Sequence, residues 1–353
     1  MELMDVFRYA AEKEASDIFI VAGTGITVKV FGKLQALTDT LQASDTERVV
    51  AAIYQMAKRD MGRLRSTGDD DFGLEIPGVS RFRVSGYRQK NSYAVTMRLI
   101  ANHLPDPGKL HIPEGIMKLA QKQKGLVLIT GTTGSGKSTT LACLIDAINQ
   151  SRTGHIITIE DPIEYVHGHG KSVVSQREIE RDTETYLTAL RACLRQAPDV
   201  ILVGEMRDYE TISVALTAAE TGHLVFSTLH TIGAASTIDR IIDVFPGSQQ
   251  NQIRAQTSMV LQSVISQQLV PTVDGRVTAA YEIMHCNNAV RNLIREGKSH
   301  QVDNVISTSA ADGMIGMDAS LFALVQQGRI TQETAVRYAV LPDMLRRRLE
   351  SGR

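Results

Sequence analysis

Gly125-Leu-Val-Leu-Ile-Thr130-Gly131-Thr132-Thr133-Gly134-Ser135-Gly136-Lys137-Ser138-Thr139 is the stretch that decides the fold. Residues 131–138 satisfy G-x-x-x-x-G-K-[ST] at every fixed position. At ordinary composition a chance match in a chain this long occurs on the order of one time in a hundred. The flanks agree with the motif. Gly125–Thr130 is an apolar run of strand length, and Leu141, Leu144, Ile145 and Ile148 form a stripe that predicts a helix opening near Lys137. A strand, a glycine-rich turn and a helix in that order make a phosphate cradle. The glycines let backbone N–H groups of residues 131–139 turn inward, and the helix N-terminus adds its partial positive charge. Lys137 is placed to reach the β- and γ-phosphates of ATP, and the Ser138 hydroxyl to bind Mg²⁺.

A P-loop hydrolase also needs a carboxylate near the metal, at the end of a neighbouring buried strand. Pro198-Asp199-Val-Ile-Leu-Val-Gly204-Glu205 supplies one, with Glu205 in the Walker B position. Gly204 stands where many P-loop enzymes carry Asp, which leaves direct Asp–Mg²⁺ coordination from this strand open. Glu160-Asp161-Pro162-Ile163-Glu164 follows another apolar strand, Ile156–Ile159. Such a run is either a solvated turn or, beside a P-loop, a group that positions metal and water. Two histidines, His223 and His230, bracket a strand that also carries Ser227 and Thr228. They are γ-phosphate sensors or ordinary edge residues, and too far apart along a strand to share a metal. Arg81 and Arg83 alternate with Phe82 and Val84 and so share a strand face. They are surface charge or, in a ring of subunits, arginine fingers.

Around these motifs the chain reads as α/β. Residues 1–101 form a small α+β domain, with a helical stripe at Leu3, Val6, Phe7 and Ala10 and a second helix around Val49, Val50 and Ile53. Strand-like runs lie at 17–21, 27–30, 72–76, 81–87 and 92–100, separated by Pro77-Gly78 and Lys90-Asn91. Residues 102–111, with Pro105 and Pro107, read as a linker. Residues 112–353 alternate strands and helices, which predicts a parallel sheet covered on both faces. Helices are expected from about Thr183 to Arg195 and from Tyr209 to Thr221-Gly222. After residue 248 the expectation is mostly helix, with one strand at Arg276–Met284.

Composition narrows the class. The chain has 353 residues, 43% apolar and 22% charged, with Lys+Arg 38 against Asp+Glu 39 and no Trp. A net charge of -1 supplies no global attraction to a polyanion. Cys143, Cys193 and Cys286 contain no Cys-x-x-Cys pair, so they predict core residues rather than a zinc site or disulfide framework. With no signal peptide and no long apolar window, the expected location is the cytoplasm.

Gly131–Thr140, residues 157–164, residues 203–208 and Ala218-Ala-Glu-Thr-Gly-His223 resemble, in order, the Walker A, Asp box, Walker B and His box of the secretion ATPase superfamily. Within it the chain resembles the type IV pilus retraction ATPases of the PilT branch. That likeness is strengthened by Ser175-Gln-Arg-Glu178, Arg81-Phe-Arg-Val84 and Ala289-Val-Arg-Asn-Leu-Ile-Arg-Glu296. Thr132 and Val290 are mild departures, where proline and isoleucine are common. The resemblance implies a PAS-like N-terminal domain joined to a RecA-like ATPase domain with a helical C-terminal region. It also implies a homo-hexamer binding ATP and Mg²⁺ between domains. Glu164 would be the catalytic glutamate and Glu205 the Walker B glutamate near Mg²⁺, acting through water. His223 and His230 would belong to the His box, Arg81 and Arg83 would complete the nucleotide site, and Arg177, Arg191 and Arg195 would line the same cleft. The motor would power pilus retraction and twitching motility. It would engage an inner-membrane platform protein and touch the membrane only through partners. Ala289–Glu296 would present Ala289, Leu293 and Ile294 to the core and use Arg291 and Arg295 to couple nucleotide state to the machinery.

Three rival readings stand beside this one. A pilus-assembly or type II secretion ATPase usually carries a longer N-terminal extension and a four-cysteine insertion, neither of which is present. A RecA-like nucleic-acid translocase predicts a basic channel and stacking aromatics, whereas this chain is 5% aromatic. A non-catalytic nucleotide-binding regulator would show no turnover.

Overall fold

The computed structural model describes residues 2–100 and 104–351. They make two compact units, residues 2–100 together with Pro162–Val166, and residues 104–161 together with 167–351.

The first unit runs α1 (Leu3–Glu12), β1 (Asp17–Ile20), β2 (Thr27–Val30), β3 (Lys33–Ala36), α2 (Ala43–Met56), α3 (Gly62–Thr67), β4 (Asp69–Ile76), β5 (Ser80–Gln89) and β6 (Ser92–Ile100). Its strands form an antiparallel sheet in the order β3-β2-β1-β6-β5-β4. Lys90 and Asn91 are both left-handed and close the two-residue β5–β6 hairpin, the geometry whose twist suits the flanking strands. Val6, Phe7 and Ala10 of α1 and Val50, Ile53 and Tyr54 of α2 pack on Ile18, Phe82, Val84, Val95 and Met97. Sequence periodicity missed β3 because all four of its residues are exposed. This edge strand is held by pairing with β2, which carries no hydrophobic signature.

The second unit begins with α4 (Glu114–Met117), β7 (Gly125–Thr130), α5 (Lys137–Ser151), β8 (His155–Glu160), β9 (Val173–Glu178), α6 (Tyr186–Cys193), β10 (Val200–Val203), α7 (Tyr209–Glu220) and β11 (Leu224–Leu229). There follow α8 (Ala234–Asp243), α9 (Gly247–Val260), β12 (Leu261–Pro271), β13 (Val277–His285), α10 (Asn288–Glu296), α11 (Val302–Thr308), α12 (Met317–Gln326), α13 (Gln332–Tyr338) and α14 (Pro342–Ser351). The seven strands lie in the order β13-β12-β7-β11-β10-β8-β9, parallel throughout except for β13. Alternate residues of each strand feed two cores. Val127, Ile129, Phe226 and Ile265 meet Leu141, Leu144 and Ile148 of α5 on one face. Leu128, Val203, Val225 and Val264 meet α6, α7 and α8 on the other. All three cysteines are free and buried, and burial pushes each thiol up to about 11. Among the described residues no helix is long and apolar enough to cross a membrane.

Three expectations meet the structure only in part. Beyond residue 248 the chain is largely helical, beginning with α9, but it holds a second strand besides β13. Leu261, Val264, Ile265 and Leu269 fall at helical spacing, yet they lie on the eleven-residue strand β12. It pairs with β7 on one side and β13 on the other, and that pairing overrides the local period. Next, the break between the two units falls within the expected linker, residues 102–111, and its residues from Leu104 on form a hydrogen-bonded turn grouped with the second unit. Ile112 N–H donates to Pro107 O at 2.9 Å and Gly108 N–H to Asp106 Oδ1 at 2.8 Å. Residues 101–103, including the expected boundary and the start of the linker, lie outside the described residues. Finally, α10 buries Val290 and Ile294, with Ala289 on the exposed side. Its Arg291 is not a free polar handle: Nη1 donates to Ser258 O and, at 2.9 Å, to Met259 O, capping the last turn of α9.

Candidate nucleotide site

The phosphate loop leaves β7 at Gly131 (φ 138°) and enters α5 through Gly136, its N-cap residue (φ 87°). Both dihedrals favour glycine, and at Gly131 a Cβ would also collide with Gln267 O. Thr132, Thr133 and Gly134 form an exposed crest. A Cβ at Gly134 would meet nothing within 4 Å, so the crest opens on free space that a phosphate can enter. Ser135 is buried, and its Oγ has no hydrogen-bond partner among the described residues. Lys137 is buried at the mouth of the loop, where its Nζ donates to Gly131 O at 2.8 Å and Thr132 O at 2.9 Å. Ser138 and Thr139 are half-buried on the first turn of α5. The cradle therefore combines turned glycines, a helix N-terminus, a fixed ammonium and small hydroxyls, which suits a polyphosphate.

Sheet order brings the next groups to the same edge. β11 lies beside β7, and β10 beside β11, all parallel. The residues that follow them, His230 and Glu205, thus leave the sheet on the side of the phosphate loop. Glu205 Oε2 lies 3.5 Å from His230 Nε2, and Oε1 2.7 Å from Arg207 Nε. Ser227 Oγ donates to Val203 O at 2.7 Å and Thr228 Oγ1 to Gly204 O at 2.5 Å, pinning the ends of the two strands together. The glycine at 204 has a steric cause. A Cβ there would stand 2.8 Å from Tyr186 Oη and 3.2 Å from Ile159 O. Burial, with Asp161, Glu205 and Glu160 nearby, pushes the Tyr186 phenol well above its usual range and keeps it protonated.

The remaining sequence candidates separate. His223 sits at the opposite end of β11, about 20 Å along a six-residue strand from His230. Its carbonyl accepts from Gly125 N–H at the start of β7, and its Nδ1 engages Ala218 O at 2.9 Å at the end of α7. It is a helix-terminus residue and is not brought to the phosphate loop of its own chain. The acidic run divides as well. Glu160 ends β8, three strands from β7, and accepts from Thr158 Oγ1 at 2.6 Å and Gln176 Nε2 at 3.2 Å. Glu164 is exposed within Pro162–Val166, which belongs to the first unit. Among the described residues no three His, Cys, Asp or Glu side chains gather as a metal site. A divalent ion would rely on the Ser138 hydroxyl and phosphate oxygens, a hard-oxygen set that suits Mg²⁺. Arg81 and Arg83 both lie on β5 in the first unit. Arg81 is buried across from Glu75, and Arg83 is half-buried across from Arg98. Arg177 donates from Nη2 to Asp182 O at 3.2 Å.

Sequence reasoning stopped at the phosphates. The structure adds a cleft of about 500 Å³ that shares Gly136, Thr139 and Thr140 with the loop and continues to Leu269, Tyr281 and Arg329. Its volume suits a small organic ligand. The β12–β13 hairpin forms its far wall, and Asp274-Gly275 between two apolar runs was the signal that could have revealed it.

Three comparisons bear on this site. The chain matches the family described as type II/IV secretion system protein over residues 2–337. It is 44% identical over 347 residues to the type IV pilus retraction ATPase PilT of Pseudomonas aeruginosa, covering 97% of this chain and 99% of that one. It is 43% identical to a twitching motility protein of Neisseria gonorrhoeae, covering 96% and 90% of the two chains. A crystal structure of the pilus retraction motor PilT with bound ADP superposes with a TM-score of 0.91 at 44% identity, covering 98% of this chain and 99% of that one.

Proposed function

The chain belongs to the type II/IV secretion system protein family, and from that premise we propose that it is an ATP-hydrolysing motor subunit that powers type IV pilus retraction. The observation that carries the ATPase reading is the common edge on which β7, β11 and β10 deliver the phosphate loop, His230 and Glu205. The observation that favours retraction over assembly is end-to-end similarity to proteins named for retraction and twitching. ATP would lie with its phosphates in residues 131–139 and its nucleoside in the adjoining cleft. Lys137 would hold the β- and γ-phosphates. Ser138 would hold Mg²⁺ and Glu205 would reach it through water, and the ion would supply charge neutralisation on the phosphate oxygens. His230, beside Glu205, would sense the γ-phosphate. Glu164 would orient the attacking water, and Arg81 and Arg83 would act as arginine fingers in an assembled ring, as the resemblance of their motifs suggests.

The reading extends to a homo-hexamer at the cytoplasmic face of the inner membrane, engaging a platform protein of the pilus machine. Three measurements test it. Purified protein should hydrolyse ATP with a specific activity that rises with concentration as rings form, and Arg81→Ala with Arg83→Ala should lower turnover far more than nucleotide affinity. Deletion of the gene should leave cells with more surface pili and no surface motility. Bald cells would point to assembly instead, and DNA-stimulated turnover to a translocase.

A further inference from the structure

β12 runs beside β7, with Ser266 paired to Thr130, the last residue before the phosphate loop. Neighbouring strand residues project to opposite faces. Gln267 shares the face of Ile265, where α5 packs, and Ser266 the face of Val264, where α8 packs. Both are almost wholly buried, and neither is apolar. Gln267 uses both ends of its amide: Nε2 donates to Ser135 O at 2.5 Å, and Oε1 accepts from Thr140 Oγ1 at 2.9 Å. On the other face, Ser266 Oγ accepts from Gly233 N–H at 2.9 Å. Its cross-strand partner Glu282 accepts from the next amide, Ala234 N–H, at 2.7 Å. Those two amides open α8, three and four residues beyond His230.

We infer that β12 braces the nucleotide site from both faces of the sheet, Gln267 positioning the phosphate loop and the Ser266–Glu282 pair positioning the segment that carries His230. The Gln267 contact has a directional consequence. Ser135 C=O and Gly136 N–H belong to one trans peptide and point in opposite directions. Holding the oxygen outward on Gln267 turns the Gly136 N–H toward the concave side of the loop, where a phosphate would accept from it. The anchors at Gly233 and Ala234 set how far the His230 segment stands from that loop. The inference rests on residues 131–139 being the ATP site. It adds that the two walls of the site are spaced by adjacent residues of one strand, so that each wall can be loosened separately.

The test is a split between affinity and turnover, read with a fluorescent ADP titration and steady-state ATPase kinetics on the full-length protein. Gln267→Met keeps length and volume but removes both hydrogen bonds. It should weaken ADP binding at least about tenfold, or 1.4 kcal/mol, a larger factor than its loss of turnover at saturating ATP. Ser266→Ala should do the reverse, keeping ADP affinity while lowering saturated turnover about tenfold or more. If Gln267→Met does not fold, Gln267→Glu takes its place. In its ionised form it keeps an acceptor for Thr140 but cannot donate to Ser135 O, and the same loss of affinity is expected. Wild-type ADP affinity in the Gln267 variant overturns the brace, as does a parallel loss of affinity and turnover in both variants. Wild-type protein that binds no nucleotide, like a Lys137→Ala control, overturns the site reading and the brace with it.

Discussion

Placing Asp at position 204, as many P-loop enzymes have it, should damage this protein, and the structure sets the size of the effect. Even Gly204→Ala brings a Cβ to 2.8 Å from Tyr186 Oη, with Ile159 O at 3.2 Å and Glu160 Cα at 3.5 Å. The hydroxyl ends a rigid, half-buried ring packed against the core, so it cannot swing away cheaply. Overpacking of this kind costs about 1–3 kcal/mol, which lowers the melting temperature of a unit this size by roughly 2–12 °C. Tyr186→Phe removes the clashing atom. No other ring atom comes closer than the 3.5 Å contact, so the tightest remaining approach is 3.2 Å to a backbone oxygen. Combined with Tyr186→Phe, Gly204→Ala should therefore cost about 1–2 kcal/mol less, a coupling measurable by a double-mutant cycle in thermal melts. Gly204→Asp adds a charge beside Glu205 and Asp161 and should be worse than Ala in both stability and ATPase rate. Additive single and double mutants, or a stable and fully active Gly204→Asp protein, would refute the steric argument.

Other outcomes follow from the same geometry. Lys137→Ala should nearly abolish turnover, and Glu164→Gln should keep ATP binding while losing at least about tenfold in rate, 1.4 kcal/mol. A smaller loss in Glu164→Gln would transfer the catalytic role to Glu205. Arg291→Ala should destabilise by about 1–2 kcal/mol, because it uncaps α9, whereas exposed Arg295→Ala should stay within about 0.5 kcal/mol. Equal melting temperatures for the two variants would contradict the capping contact. His167 and His285 are held below the ordinary 6.5, both mainly by burial, His285 also by Lys122. The unfolded chain then binds more protons than the folded one near and below that value. Stability is full above 6.5 and is lost as pH falls from there toward the depressed folded values, by at most about 1.4 kcal/mol per pH unit per group. Replacing both histidines with Gln should flatten the fall in melting temperature between pH 7 and 5, and an unchanged slope would dismiss their contribution.

The phosphate loop, the strand before it and the helix after it were legible in residues 125–151, because everything that builds a cradle lies within one turn of chain. The hairpin at Lys90-Asn91, the helix end at Gly222 and the burial of the three cysteines were legible for the same reason. Sheet order was not. Nothing local distinguishes His223 from His230, and only the parallel pairing of β11 with β7 sends one to the phosphate edge and the other to the far end. Glu164 followed a buried strand in sequence, yet its segment belongs to the other unit. Gly204 carried no visible reason until Tyr186, eighteen positions earlier, was found over it. β12 ran against its own periodicity, and Gln267 meets Ser135 across 132 residues of chain. Backbone dihedrals and apolar periods are properties of neighbouring residues, so a sequence states them directly. The spacing of a site's walls depends on which strands lie side by side, and that is decided when the whole sheet closes and every buried amide must find a partner.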